Sequence, residues 1–134
     1  MTGTERRKRV LFVCVENCNR SQTAEALARL YGAGQVEAFS AGCRPAASAH
    51  PKAVAAMREL GYDLSRHRAK ALSGLPDVEF DVAVTMGCGE LCPPLRAKVR
   101  ENWDVPCPKA MPPDQFRGVR DLIGEKVQAL LEKL

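Results

Sequence analysis

Aromatic residues make up only 5% of the 134 positions, and there is one tryptophan and just two histidines. No apolar run approaches the roughly 20 residues of a membrane-spanning helix. The basic stretch RRKR at 6–9 is followed by about six apolar residues before Glu16, too short a core for a secretory signal. These lacks exclude a membrane partner and point to a cytoplasmic protein. Strong charge is missing too: a net charge of +4 with so few aromatics argues against a nucleic-acid partner. The basic start then reads as a solvated tail. There is no internal repeat, low-complexity tract or domain boundary. Residues 1–8 read as a disordered or frayed tail, and 9–134 as one domain, large enough to bury a core without disulfides or metal.

Cysteine is the residue present in surplus. Six in a cytoplasmic chain of this size argue for thiol chemistry or metal binding, because that compartment keeps thiols reduced. The first of them sits in VLFVCVENCNRS at 10–21. An apolar run at 10–15 reads as a buried strand that breaks into a polar loop, and a helical pattern follows at once. The backbone N–H groups at a helix start lack intrahelical partners and the dipole favours negative charge, so the loop is an anion site. The same field, with Arg20 six residues after Cys14, favours thiolate over thiol at Cys14. Arg20 can grip two oxyanion oxygens as a fork. Asn17 tolerates the left-handed backbone that a curled loop needs, and Ser21 can donate its hydroxyl to the sulfur. Oxyanion contacts are expected from the whole loop: Cys14, Val15, Glu16, Asn17, Cys18, Asn19 and Arg20. The bland alternative is a buried strand cysteine beside an unrelated surface arginine.

Along the chain, helix is expected at 21–31 with Ala24, Leu27, Ala28 and Tyr31 on one face and Gly32 or Gly34 as its stop. Strand follows at 36–40 and a turn after it. Pro51 then opens a helix to about residue 60, with Val54, Met57 and Leu60 inward and Gly61 closing it. A short helical turn is expected at 71–76, a strand at 81–86, a short fourth strand at 103–105, and a last helix from 113 or 114 to 134. Gly118 and Gly124 inside that helix cost roughly 1 kcal/mol each against alanine. Strands alternating with helices argue for an α/β fold: three layers, a four-stranded parallel sheet with helices on both faces, and ligands beyond the carboxyl ends of the strands. That rim is where Cys14, Cys43, Cys88 and Cys107 are expected to gather.

CVENCNRS followed by QTAEAL, together with FSAG at 39–42, resembles the low-molecular-weight protein tyrosine phosphatase superfamily, which includes thiol-linked arsenate reductases. The resemblance covers nearly the whole chain after residue 8. Pro51-Lys-Ala, GYDLSRHRAK at 61–70, VTMGCGELCP at 84–93 and NWDVPCP at 102–108 look more like the arsenate reductase branch. It implies catalysis by Cys14, Arg20, Ser21 and two relay cysteines. Cys88 and Cys92 stand four apart in GCGELCPP; on a helical turn their Cα atoms would lie about 6 Å apart, close enough to bridge after modest unwinding. Cys88 would attack Cys14, and Cys92 would resolve the disulfide by exchange. The other readings are an external small thiol, inert loop cysteines, or a metal site with Cys107 and His67, which no CxxC spacing supports. Cys18 either forms a protective disulfide with Cys14 or fills space; relatives tend to carry a cysteine immediately before the arginine, where this chain has Asn19. Cys43 reads as structural.

Three departures matter. Where the family places the aspartate that acts as general acid before a proline, this chain has Cys107, a poor proton donor. Asp104 and Asp114 are nearby in sequence, but nothing in the sequence places them over Cys14. A phosphate ester must expel an alkoxide and suffers from that loss, whereas arsenate carries its own hydroxyl protons. The segments after Pro108 and Gly42 also lack the aromatic walls a phosphotyrosine ring needs. Some arsenate reductases bind potassium through asparagine, glutamate, serine and aspartate; Asn17, Glu25 and Ser40 match, but Lys70 stands at the fourth position, so no potassium, other metal or cofactor is expected. His67 reads as a hydrogen-bonded structural residue. The expectation is an arsenate reductase acting on arsenate or a phosphate-like oxyanion, with thioredoxin or a small thiol as reductant. A phosphatase for phosphotyrosine or small phosphoesters is the alternative, and a non-catalytic thiol or oxyanion sensor the reading from another class.

Overall fold

In a computed structural model, which describes residues 7–14, 19–42, 44, 49–86, 96–106 and 111–134, the first apolar run forms strand β1, Lys8–Cys14. Its last five residues are buried, because a strand flanked on both sides has no edge to give to water. Helix α1 (Arg20–Tyr31) leads to β2 (Val36–Gly42), which pairs with β1 in parallel from Lys8 opposite Val36 to Cys14 opposite Gly42. On its other side β1 pairs with β3 (Phe80–Thr85), and β3 with β4 (Ala97–Asn102). Among the described residues the sheet is four parallel strands in the order β2-β1-β3-β4.

Alternate side chains of β1 feed two cores. Val10, Phe12 and Cys14 join the larger one, which α1, α2 (Pro51–Arg58) and α3 (Pro113–Lys133) cover. Leu11 and Val13 join the smaller one on the opposite face, where Leu72, Leu75 and Val78 pack around the 3₁₀ turn Leu72–Gly74. Asp81, buried at the start of β3, accepts from the Arg9 backbone N–H at 2.8 Å and lies 3.6 Å from Lys98 Nζ, joining three strands at one end. Along α3, Phe116, Val119, Ile123, Val127 and Leu130 are buried at helical spacing as expected. Arg120 is buried among them: its Nη1 donates to Ala56 O and to Glu59 Oε1, each at 2.8 Å, fixing α3 across the C-terminus of α2.

Some expectations are corrected. The fourth strand is Ala97–Asn102, not 103–105. It is an edge strand whose side chains are largely exposed, Val99 at 50%, so it shows no apolar alternation. Trp103 and Val105, the apolar residues that suggested a strand, lie just beyond it and pack into the core, Trp103 with its ring 5.8 Å from that of Phe12. Tyr31 is 41% exposed, because α1 is buried all round only from Ser21 to Ala28 and emerges at its end. The second helix stops at Arg58 and buries Ala53 and Ala56 beside Met57, while Val54 and Leu60 are half-buried against the core. Gly61, with φ of 83°, turns the chain away as a closing glycine does. No helix of the described residues is long and apolar enough to cross a membrane.

Two glycines give opposite expectations. A Cβ at exposed Gly118 in α3 would meet nothing within 4 Å, so Gly118→Ala should raise the unfolding free energy in urea titrations by about 0.5–1 kcal/mol. At Gly32, which ends α1, a Cβ would stand 2.8 Å from Ala28 O and 3.0 Å from side chains of Val36 and Leu131. Gly32→Ala should therefore lower it in the same titration.

Candidate active site

The strand order places β1 at the point where the chain reverses direction: from β1 it goes first to one side, to β2, and later to the other, to β3 and β4. Ligand crevices of parallel sheets open at such a point, beyond the carboxyl ends of the strands. Cys14 is the last residue of β1, so the fold delivers its thiol there, 3% exposed. Ser21, in the first turn of α1, has its Oγ 2.9 Å from Cys14 Sγ. β1 ends at Cys14 and α1 starts at Arg20, and this contact sets the helix start against the strand end.

Helix α1 has no side-chain cap and no acidic residue in its first turn, so no carboxylate of that turn neutralises the positive end of its dipole. Asn19 precedes it, 4% exposed; its carbonyl accepts from Thr23 N–H at 2.9 Å, and its side-chain Oδ1 has no hydrogen-bond partner among the described residues. Arg20, half-buried, donates from Nη1 to the Val105 carbonyl at 3.0 Å, which ties the helix start to the segment after β4. Among the residues expected to act, Cys14, Asn19, Arg20 and Ser21 are thus described. Val15, Glu16, Asn17, Cys18, Cys43, Cys88, Cys92 and Cys107 lie outside the described residues.

One turn beyond Ser21, Glu25 buries its carboxylate, 3% exposed, inside a polar shell. Arg29 holds Oε2 from Nε at 2.9 Å and Nη2 at 2.8 Å; Ser40 donates its hydroxyl to Oε1, and Lys70 Nζ stands 3.8 Å from the same oxygen. A buried carboxylate needs such partners, since an unpaired charge in the interior is costly. Lys70 thus stands with its ammonium 3.8 Å from a carboxylate oxygen of the shell. Among the described residues no three His, Cys, Asp or Glu side chains are placed to share a metal.

His67 lies against this shell and is hydrogen-bonded at both ring nitrogens. Gln22 Nε2 donates to the Arg68 carbonyl at 2.8 Å, which fixes the amide so that its Oε1 faces His67 Nδ1, also at 2.8 Å. An amide oxygen only accepts, so Nδ1 carries the proton. Burial pushes the His67 imidazole below its ordinary value, against the attraction of Glu25, and Arg29 and Lys70 add to the downward push. Neutral and protonated at Nδ1, the ring accepts at Nε2 from the Tyr62 hydroxyl, 2.6 Å away. Sequence reading gave His67 as hydrogen-bonded but missed Gln22, Arg29 and Tyr62. The spacing of Gln22, Glu25 and Arg29 at i, i+3 and i+7, one polar stripe along the helix, was the available signal.

With this geometry in hand, similarity to known proteins becomes informative. Residues 9–134 match the family described as low molecular weight phosphotyrosine protein phosphatase. The chain is 34% identical over 130 residues to the glutaredoxin arsenate reductase of Synechocystis sp., covering 95% of this chain and 98% of that protein. To an arsenate reductase of Staphylococcus aureus it is 34% identical over 121 residues, 87% of this chain and 91% of that one. A solved structure described as an arsenate reductase in the phosphate binding state superposes with a TM-score of 0.86 at 34% identity, covering 94% of this chain and 98% of the other. With a match spanning nearly its whole length, the chain belongs to the low molecular weight phosphotyrosine protein phosphatase family.

Proposed function

We propose that this protein is a cytoplasmic arsenate reductase whose nucleophile is Cys14. What carries the reading is Cys14 at the carboxyl end of the central strand, with Ser21 Oγ at 2.9 Å, in a chain 34% identical along almost its full length to a protein named for arsenate reduction. Arsenate is held by the amides of residues 15–20 and by Arg20, a tetrahedral anion at a helix N-terminus. The Cys14 thiolate attacks arsenic and an oxygen leaves as water, taking protons arsenate itself carries, so the cysteine at 107 in place of a carboxylic acid does little harm. The Cys88 thiolate then attacks the sulfur of Cys14. An S–S bond forms, the As–S bond breaks with its electron pair staying on arsenic, and arsenite departs. Cys92 attacks Cys88 in turn, freeing Cys14 and leaving a Cys88–Cys92 disulfide.

Thioredoxin or a low-molecular-weight thiol reduces that disulfide. The Synechocystis relative carries glutaredoxin in its name, which supports including glutathione and glutaredoxin beside thioredoxin in any assay. A second reading, a phosphatase for phosphotyrosine or a small phosphoester, draws on the family itself.

Arsenate-dependent NADPH oxidation, coupled through thioredoxin and its reductase or through glutathione and glutaredoxin, is expected of the fully reduced protein, with little hydrolysis of an aryl phosphate. Hydrolysis without NADPH loss would move the protein to the phosphatases. Cys14→Ser should lower turnover by more than about a thousandfold while oxyanion binding, measured by calorimetry, persists. Cys92→Ala should halt the thioredoxin-driven cycle after one turnover; undiminished cycling would assign the last step to an external thiol. Cys107→Asp should leave aryl phosphate hydrolysis low, and a gain of about a hundredfold, the range a positioned general acid supplies, would favour the phosphatase reading.

A further inference from the structure

We propose that His67 is a positioning residue: through Gln22 it holds the first turn of α1, and with it the Ser21 hydroxyl, against the thiol of Cys14. The inference deepens the reading of Cys14 as a nucleophile and rests on it, but it comes from a closed ring of contacts around that residue. Cys14 pairs with Gly42 across the parallel ladder. Gly42 N–H donates to the Lys70 carbonyl at 2.8 Å, and Gly42 bridges Ala71. Two residues before Lys70, the Arg68 carbonyl accepts from Gln22 Nε2 at 2.8 Å. Gln22 follows Ser21 directly, and Ser21 Oγ returns to Cys14 Sγ at 2.9 Å. The segment at 67–71 is thus a strap from the end of β2 to the start of α1, closing the ring on the side of the sheet that carries Glu25.

The ring is no stiffer than its one long side chain. Gln22 has three rotatable bonds, and its tie to Arg68 holds the amide by its nitrogen. His67 fixes the other end, since Nδ1–H donates to Gln22 Oε1 at 2.8 Å while Tyr62 OH holds the far side of the imidazole at 2.6 Å. Gln22 is 0% exposed, so losing the His67 N–H takes a hydrogen bond from a buried carbonyl oxygen and frees the side chain to take another rotamer. The charged groups facing the ring are Glu25, whose Oε2 is 3.7 Å from Nδ1, together with Arg29 on α1, Lys70 on the strap and Asp63 ahead of it in the chain. Glu25 is itself held by Arg29, which leaves the amide of Gln22 as the near partner of the His67 N–H.

Asparagine and glutamine at position 67 separate this role from packing. The amide nitrogen of asparagine stands as many bonds from Cα as Nδ1 does and can donate to Gln22; that of glutamine stands where Nε2 does and faces Tyr62. The readout is the rate of Cys14 alkylation by iodoacetamide at neutral pH, resolved by peptide mass spectrometry because the chain has six cysteines, alongside phosphate affinity and the thermal midpoint. His67→Gln should slow Cys14 alkylation by about tenfold and weaken phosphate binding, as expected when a hydrogen bond to the thiolate is worth about 1.4 kcal/mol. His67→Asn should stay within about twofold of the unsubstituted protein. Equal behaviour of the two variants, whether both slow or both unchanged, would overturn the proposal. If neither variant folds, the imidazole ¹⁵N shifts of the unsubstituted protein decide: a proton on Nδ1 supports it and a proton on Nε2 overturns it. None of these measurements uses arsenate, so a protein that alkylates as expected yet reduces no arsenate would retire the reductase reading and leave His67 in place.

Discussion

Everything in this structure depends on the pairing of β1 along both of its edges. With β2 on one side and β3 on the other, its backbone groups are satisfied within the sheet and its side chains within two cores, until the ladder ends. Cys14 is the last residue paired with β2, opposite Gly42, and Met86 N–H closes the other side on the Val13 carbonyl at 2.8 Å. Helix α1 then begins at Arg20, six residues along the chain. The position of the thiol is thus a result of strand order, and the field around it a result of where the next helix begins.

The elements legible in the sequence are those whose pattern answers to one partner. The continuous apolar run of β1, the Pro51 start of α2 and the helical spacing from Phe116 to Leu130 in α3 each name their own structure. β4 is illegible for the opposite reason: Lys98, Val99 and Arg100 face water on an edge, and only hydrogen bonds to β3 make the segment a strand. The extent of α1's burial was hidden because Ser21, Gln22, Thr23 and Glu25 are all interior, against the expectation that polar residues mark the wet face of a helix. At the site, the contact between Cys14 and Ser21 was readable from seven residues of separation. The strap was not, since it joins residues 22 and 67 through side-chain amide and imidazole, which no periodicity encodes.

Glu25 shows how the interior tolerates charge so near the thiol. Its carboxylate is matched by Arg29 within hydrogen-bond distance and by Lys70 at 3.8 Å, so this buried anion arrives with its own counter-charges. Left unpaired, it would oppose both an oxyanion and a thiolate at the helix start. Arg120 and Glu59 play a corresponding structural part between α2 and α3, where a buried guanidinium holds a helix C-terminus by its Ala56 carbonyl. There too the benefit is fixed geometry more than net stability.

The order of the strands also bears on how the molecule comes into being. Arg9 and Asp81 are 72 residues apart in the chain yet hydrogen-bonded at the base of the sheet, so β1 remains an open edge until β3, Phe80–Thr85, has been made. Contacts of such long sequence separation form slowly, because the closing of a large loop comes before any reward. The strap at 67–71 arrives barely earlier. During synthesis Cys14 is therefore an ordinary thiol on an unfinished strand, and its distinctive surroundings are acquired late, when the far parts of the chain close around it.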